Sequence, residues 1–166
     1  MSDWMSASTI VGMLLTVYLK MLPAMVANSS AVIFGGGPPI DNGAKFFDSQ
    51  PIFGKNKTIR GFVGGVVVGG IVGLLLSQGY WGFILALGAL LGDLVGAFIK
   101  RRFKVEPGQP FPLLDQYDFV IGAFVVSELF NPVDLTEFLL FFLTIPLVHL
   151  GANIIAYKLG LKRVPW

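Results

Sequence analysis

In the stretch "PFPLLDQYDFVIGAFVV", Asp115 and Asp118 stand three residues apart and an apolar run follows directly. On a helix that spacing sets the two carboxylates side by side. Upstream, "GDLVGAFIKRR" places Asp93 seven residues before Lys100 and eight before Arg101. All three then share a helical face, with the acid about 10 Å from the bases along the axis. Two basic stretches accompany them, "FGKNKTIRG" with Lys55, Lys57 and Arg60, and "KRRFK" with Lys100, Arg101, Arg102 and Lys104. Carboxylates that can hold Mg²⁺, beside cations that can bind phosphate, are the parts that phosphoryl or nucleotidyl transfer requires. Each group also has a plainer use. Asp93 could be a salt-bridged structural acid, and Asp115 and Asp118 could cap a helix and complement its dipole. Their gathering at one face, next to both basic stretches, favours chemistry.

The elements that position these groups are apolar. Of 166 residues 54% are hydrophobic and only 13% are charged, and the mean hydropathy is +0.74. A soluble domain carries about 25% charged residues. The composition therefore points to an all-α integral membrane protein forming one domain over residues 1–166. Five apolar segments fall at roughly 4–32, 62–77, 81–99, 115–130 and 138–157, the first broken by Lys20 and Pro23. The second and fourth are short for a span, which needs about 20 residues. The start, with Asp3 in place of a basic region, does not read as a cleavable signal. Cysteine is absent, so thiolate metal sites and disulfides are excluded.

Charge distribution predicts orientation. Lys45, Lys55, Lys57 and Arg60 precede the second segment, Lys100 to Lys104 follow the third, and Lys158, Lys162 and Arg163 follow the fifth. The positive-inside rule then places the N-terminus outside, and the C-terminus and both basic loops in the cytosol. Gly61, Gly65, Gly69 and Gly73 recur every four residues, as do Gly88, Gly92 and Gly96. Each set predicts a helix face along which a neighbouring backbone packs closely.

The ordered motifs also carry a resemblance. "GDLVGAFIKRRF" followed by "PLLDQYDFV", with the "FGKNKTIRGFVGG" loop, resembles the membrane CDP-diacylglycerol synthases. The compact five-segment order, with "AN", "GGGPPIDNG", "FGKNKTIRG", "FIKRR" and "LDQYDFVIGA", is more similar still to the archaeal CDP-archaeol synthase family. The likeness covers nearly the whole chain. It implies transfer of CMP from CTP to an isoprenoid glycerol-ether phosphate at the cytosolic face of the cell membrane, with Mg²⁺ as cofactor and no nucleic acid partner. Asp93, Asp115 and Asp118 would hold the metal, and with Lys100 and Arg101 would form the catalytic set. Lys55, Lys57, Thr58, Arg60, Lys100, Arg101, Arg102 and Asn28 would contact nucleotide or phosphate. Ala97, Gln116 and "PFPLL" depart from the bacterial-type pattern, so roles carried by those positions do not transfer.

Other polar groups have simpler readings. Lys20 is expected to snorkel or to reach a lipid phosphate. Glu128 and His149 are expected to satisfy one another. The "GGGPPIDNG" loop could touch nucleotide through backbone amides, or be only a Gly/Pro turn. Two rival classes share some of these features. An ion-coupled carrier of anionic solutes would also place acids in its helices. A lipid kinase would use the same metal logic with ATP.

Overall fold

The structure, a computed structural model, describes residues 7–130 and 132–158. Among these residues there are five helices and no strands: α1 (Ala7–Ile33), α2 (Ile59–Leu75), α3 (Trp81–Arg102), α4 (Leu114–Glu128) and α5 (Leu135–Lys158). The five expected segments are thus five helices, with shifted ends. Both chain termini, including Lys162 and Arg163, lie outside the described residues, as does Asn131.

Local chemistry sets the helix starts and stops. Thr58, extended at φ −108° and ψ 149°, caps α2 by accepting the Gly61 N–H, an N-cap arrangement that satisfies one of the free amides of the first turn. Lys100, Arg101 and Arg102 fill the last turn of α3, where cations suit the negative end of the helix dipole. Asp134 opens α5 by accepting the N–H groups of Thr136 and Glu137 at 2.9 and 3.1 Å.

Lys20 and Pro23 interrupt the apolar run of α1 but not the helix. Pro23 lies inside a continuous helix. A proline removes the hydrogen bond to the carbonyl four residues earlier, here that of Leu19. Gln78, in the turn between α2 and α3, donates its Nε2 to that Leu19 oxygen at 2.9 Å. The freed acceptor is satisfied from another element, so the helix continues. Lys20 is likewise engaged nearby: its Nζ pairs with Glu137 at the start of α5. Glu128 accepts the Val133 N–H at 2.7 Å, and the His149 ring lies 5.6 Å from that of Phe119.

Both glycine faces pack as expected. A Cβ at Gly61, Gly65 or Gly69 would press on the carbonyls of Ala31, Ala27 or Pro23, so α2 lies backbone to backbone on α1. Gly88 and Gly92 bring α3 against Gly122 and Asp118 of α4 in the same way. Phe119, Phe141, Leu85, Leu90 and Ile145 fill the interior. The outside is apolar too, with Val11 64%, Val63 54% and Leu147 70% exposed. A water-facing surface does not carry such a continuous apolar covering. By length and composition α1 (from Thr9) and α3 are able to cross a membrane. At 1.5 Å per residue the 17 residues of α2 and 15 of α4 extend only about 26 and 23 Å.

Candidate active site

A cavity of about 790 Å³ opens where the loop ends of α1 to α4 meet, within the size range of small-molecule sites. Each helix contributes to it. Asn28 and Ala31 come from α1, Phe62 from α2, Asp93, Lys100 and Arg101 from α3, and Asp115 and Asp118 from α4. The α1–α2 loop adds Lys55, Asn56 and Lys57, and the α3–α4 loop adds Pro107 to Pro110. Three carboxylates and four expected phosphate-binding cations therefore line one space, as their spacing predicted.

Within the cavity the charges are paired unevenly. Lys57 Nζ lies 2.6 Å from both Asp93 oxygens. Lys100 Nζ lies 2.8 Å from Asp115 Oδ1, while Asp115 Oδ2 accepts the Phe111 N–H at 2.8 Å. Asp115 thus ties Lys100 to the start of α4. Asp118 is 8% exposed, and its Oδ1 accepts the Phe119 N–H at 2.6 Å. Its side chain lies over Gly96, where any Cβ would collide with it. Glycine at 96 is what lets the carboxylate sit against α3 beside Asp93.

Arg101 is the most informative group. It is only 3% exposed, yet its Nε and Nη1 have no hydrogen-bond partner. A buried guanidinium without partners is costly, and the cost is relieved when an anion enters. Its position on the cavity wall makes a phosphate the fitting counterion.

The donor set also bears on a metal. Among the described residues no three acidic or histidine side chains converge as a metal cage. Mg²⁺ needs only one or two carboxylates, with water and phosphate oxygens completing the shell. Asp93 has both oxygens on the mobile end of Lys57, Asp115 has one on Lys100 and one on the backbone N–H of Phe111, and Asp118 keeps Oδ2 toward Gly96 of α3.

Three expected phosphate contacts have other work. Arg60 donates to the carbonyls of Phe34 and Gly35, closing the end of α1 onto the start of α2. Arg102 pairs with Asp48 at 2.8 Å, donates to the Pro51 carbonyl and covers the rings of Phe46 and Phe98. Thr58 lines the cavity, but its hydroxyl oxygen serves the α2 cap. Basic residues that face the cavity are not distinguished by type from their neighbours; only the fold shows which way each points. Asn56 and Gln109 reach the cavity without having been singled out.

Residues 10–166 match the family model described as CarS-like, CDP-archaeol synthase. The chain belongs to the CDP-archaeol synthase family. The CDP-archaeol synthase of Pyrococcus horikoshii is 45% identical, covering 92% of this chain and 97% of its own. That of Methanocaldococcus jannaschii is 44% identical over 88% of this chain and 93% of its own. A solved structure of an intramembrane enzyme for archaeal membrane lipids biosynthesis superposes with a TM-score of 0.79 at 38% identity, covering 85% of this chain and 94% of that one. CDP-archaeol synthases are enzymes, and the resemblance first seen in the ordered motifs is a family relationship.

Proposed function

We propose that the chain crosses the membrane five times and transfers CMP from CTP to the phosphate of a long-chain isoprenoid glycerol ether at the cytosolic face. The products are CDP-archaeol and pyrophosphate. The observation that carries this reading is the buried Arg101 guanidinium, without hydrogen-bond partners at Nε and Nη1, beside two lysine–carboxylate pairs in one cavity. The charged groups gather toward the loop ends of the helices, which favours transfer between a soluble and a lipid reactant over carriage through the bundle.

The chemistry asks little of a general base. A phosphate monoester has its second pKa near 6, so the lipid phosphate arrives as a nucleophile. One of its oxygens attacks the α-phosphorus of CTP, and the α–β bridging P–O bond breaks to release pyrophosphate. Lys55, Lys57, Lys100 and Arg101 hold the triphosphate and offset the charge that grows on the departing group. Asp93 and Asp118 would hold Mg²⁺, which supplies Lewis-acid neutralisation of phosphate charge when bound. For Asp93 to act so, Lys57 must turn from it toward phosphate, and the incoming anion provides that partner. The lipid phosphate reaches the same space along the apolar side of the cavity, formed by Ala31, Val32, Phe62, Leu90 and Leu94. Its chains extend outward over the apolar helix faces.

The test is turnover by the detergent-purified protein with Mg²⁺ and lipid phosphate, using α-labelled CTP, ATP, GTP or UTP and, in a separate arm, γ-labelled ATP. Label should pass from CTP into lipid. Transfer of γ-label from ATP, or no transfer from any nucleotide, would overturn the reading.

A further inference from the structure

The α1–α2 loop presents Lys55, Asn56 and Lys57 to the cavity, braced by two isolated β-bridges, Pro39–Thr58 and Lys45–Pro51. The side chain that ties its inner turn in place is that of Asp41. This residue is 9% exposed, lies outside the cavity lining, and directs its carboxylate inward under the loop. Oδ2 accepts the N–H groups of Phe53 and Gly54, each at 2.8 Å. Oδ1 accepts the Gly43 N–H at 3.1 Å. Burial alone would raise its pKa, but these backbone donors outweigh it and hold the carboxyl below its ordinary range. It is therefore charged throughout the neutral range, as an acceptor of three N–H groups should be.

Two of those donors define the turn that enters the cavity. Gly54 has φ +97°, and its Cα faces Arg101 and Pro107; a Cβ there would lie 3.7 Å from Arg101 Nη1 and 3.1 Å from Pro107 Cγ. The Gly54 carbonyl accepts the Lys57 N–H at 3.1 Å, and the Lys57 carbonyl accepts the Ile40 N–H at 2.7 Å. The Asp41 carboxylate and the amide of its neighbour Ile40 thus grip the 53–57 turn at both ends. Lys57 leaves that turn to reach Asp93.

We propose that Asp41 is a positioning residue for the nucleotide. Without touching substrate, it holds the Gly54–Lys57 turn so that Lys55, Asn56 and Lys57 meet the triphosphate and Gly54 packs over Arg101. This rests on the reading of the cavity as a nucleotide site. It predicts that the charge of Asp41 governs nucleotide affinity more than turnover.

The test compares full-length wild type with Asp41→Asn, an isostere in which at most one amide oxygen can accept and an NH₂ would face a backbone donor. With CTP as the varied substrate, KM should rise about tenfold or more, while kcat at saturating CTP stays within about threefold. Hydrogen exchange of the segment 53–57 should quicken while the helices keep their protection and the unfolding temperature holds. An unchanged KM, unchanged exchange at 53–57, or a loss of helix protection that makes Asp41 merely structural would each overturn the proposal. Wild-type protein that turns over no CTP would instead overturn the reading of the site. The two failures are therefore distinguishable.

Discussion

At one end of α3, Gly82 meets Gly73 of α2 backbone to backbone; toward the other end, Gly96 meets the Asp118 carboxylate of α4. The same residue type removes the same Cβ in both places, but for different ends. At Gly82 the facing atoms are the backbone of Gly73, and the close approach serves packing. Near Gly96 the space admits a carboxylate that is almost fully buried. Small residues in a membrane-type bundle thus do two jobs that a glycine repeat alone does not separate. The neighbouring side chain decides which job is done.

The largest effect should come from removing charge at the Gly96 end. Asp118→Asn and Asp93→Asn keep size and shape but remove the negative charge available to a metal. Turnover should fall about a thousandfold or more, with folded yield near wild type. Raised Mg²⁺ should partly restore the Asp93 variant. Full activity in either variant would leave the charged end with no more catalytic meaning than the packed one.

Matched glycine substitutions sharpen the contrast further. Gly96→Ala should drive Asp118 from its seat and lower kcat about a hundredfold, with only a modest change in unfolding temperature. Gly73→Ala should part α2 from α3, costing about 1–3 kcal/mol, the usual range for overpacking. Its surviving folded fraction should keep the wild-type KM and kcat. Thermal unfolding and steady-state kinetics on the same preparations would distinguish the two. Equal loss of activity in both would dissolve the comparison.

Arg101 separates affinity from stability. Its guanidinium is buried without hydrogen-bond partners at Nε and Nη1, so the ligand-free protein carries unsatisfied buried donors. Arg101→Met should raise KM for CTP roughly ten- to a hundredfold, since each factor of ten is about 1.4 kcal/mol of lost interaction. The same change should leave the ligand-free unfolding temperature equal or higher. A large drop in that temperature would show that Arg101 is held by the fold and does not wait for an anion.

How much of this was legible in the sequence depends on the kind of signal. Apolar runs and the four-residue glycine spacing gave five helices and their packed faces, because both are periodic. Asp93, Asp115 and Asp118 were found because acids are rare beside apolar helices. The division of labour among neighbouring cations was not legible: Arg60 and Arg102 look like Lys57 and Arg101 until the fold turns them onto the Phe34 and Pro51 carbonyls. The continuity of α1 through Pro23 depends on Gln78, 59 residues from the Leu19 carbonyl it satisfies. No local pattern reports such a contact. Asp41 did leave a trace, since "DNG" is a sequence in which an Asp side chain bonds the N–H two residues on. Its bonds to Phe53 and Gly54 left none.

The smallest effect should lie at the end away from the cavity, where Lys20 pairs with Glu137. Lys20 is 52% exposed, and exposed pairs contribute about 0–1 kcal/mol because solvent screens them and two long side chains must be held still. Leu19 O and Gln78 tie α1 to the α2–α3 turn beside it, so the helix does not depend on this pair alone. A double-mutant cycle with Lys20→Met and Glu137→Gln should give a coupling of about 0.5 kcal/mol, with kcat and KM unchanged in all three variants. The pair is a useful control because it too joins a lysine to a carboxylate from another element, as Lys57–Asp93 does. If breaking Lys20–Glu137 lowered turnover as much as breaking Lys57–Asp93, ion pairing as such would account for the effects at the cavity. If only the cavity pair matters, its importance comes from what the lysine and the carboxylate each do after they separate.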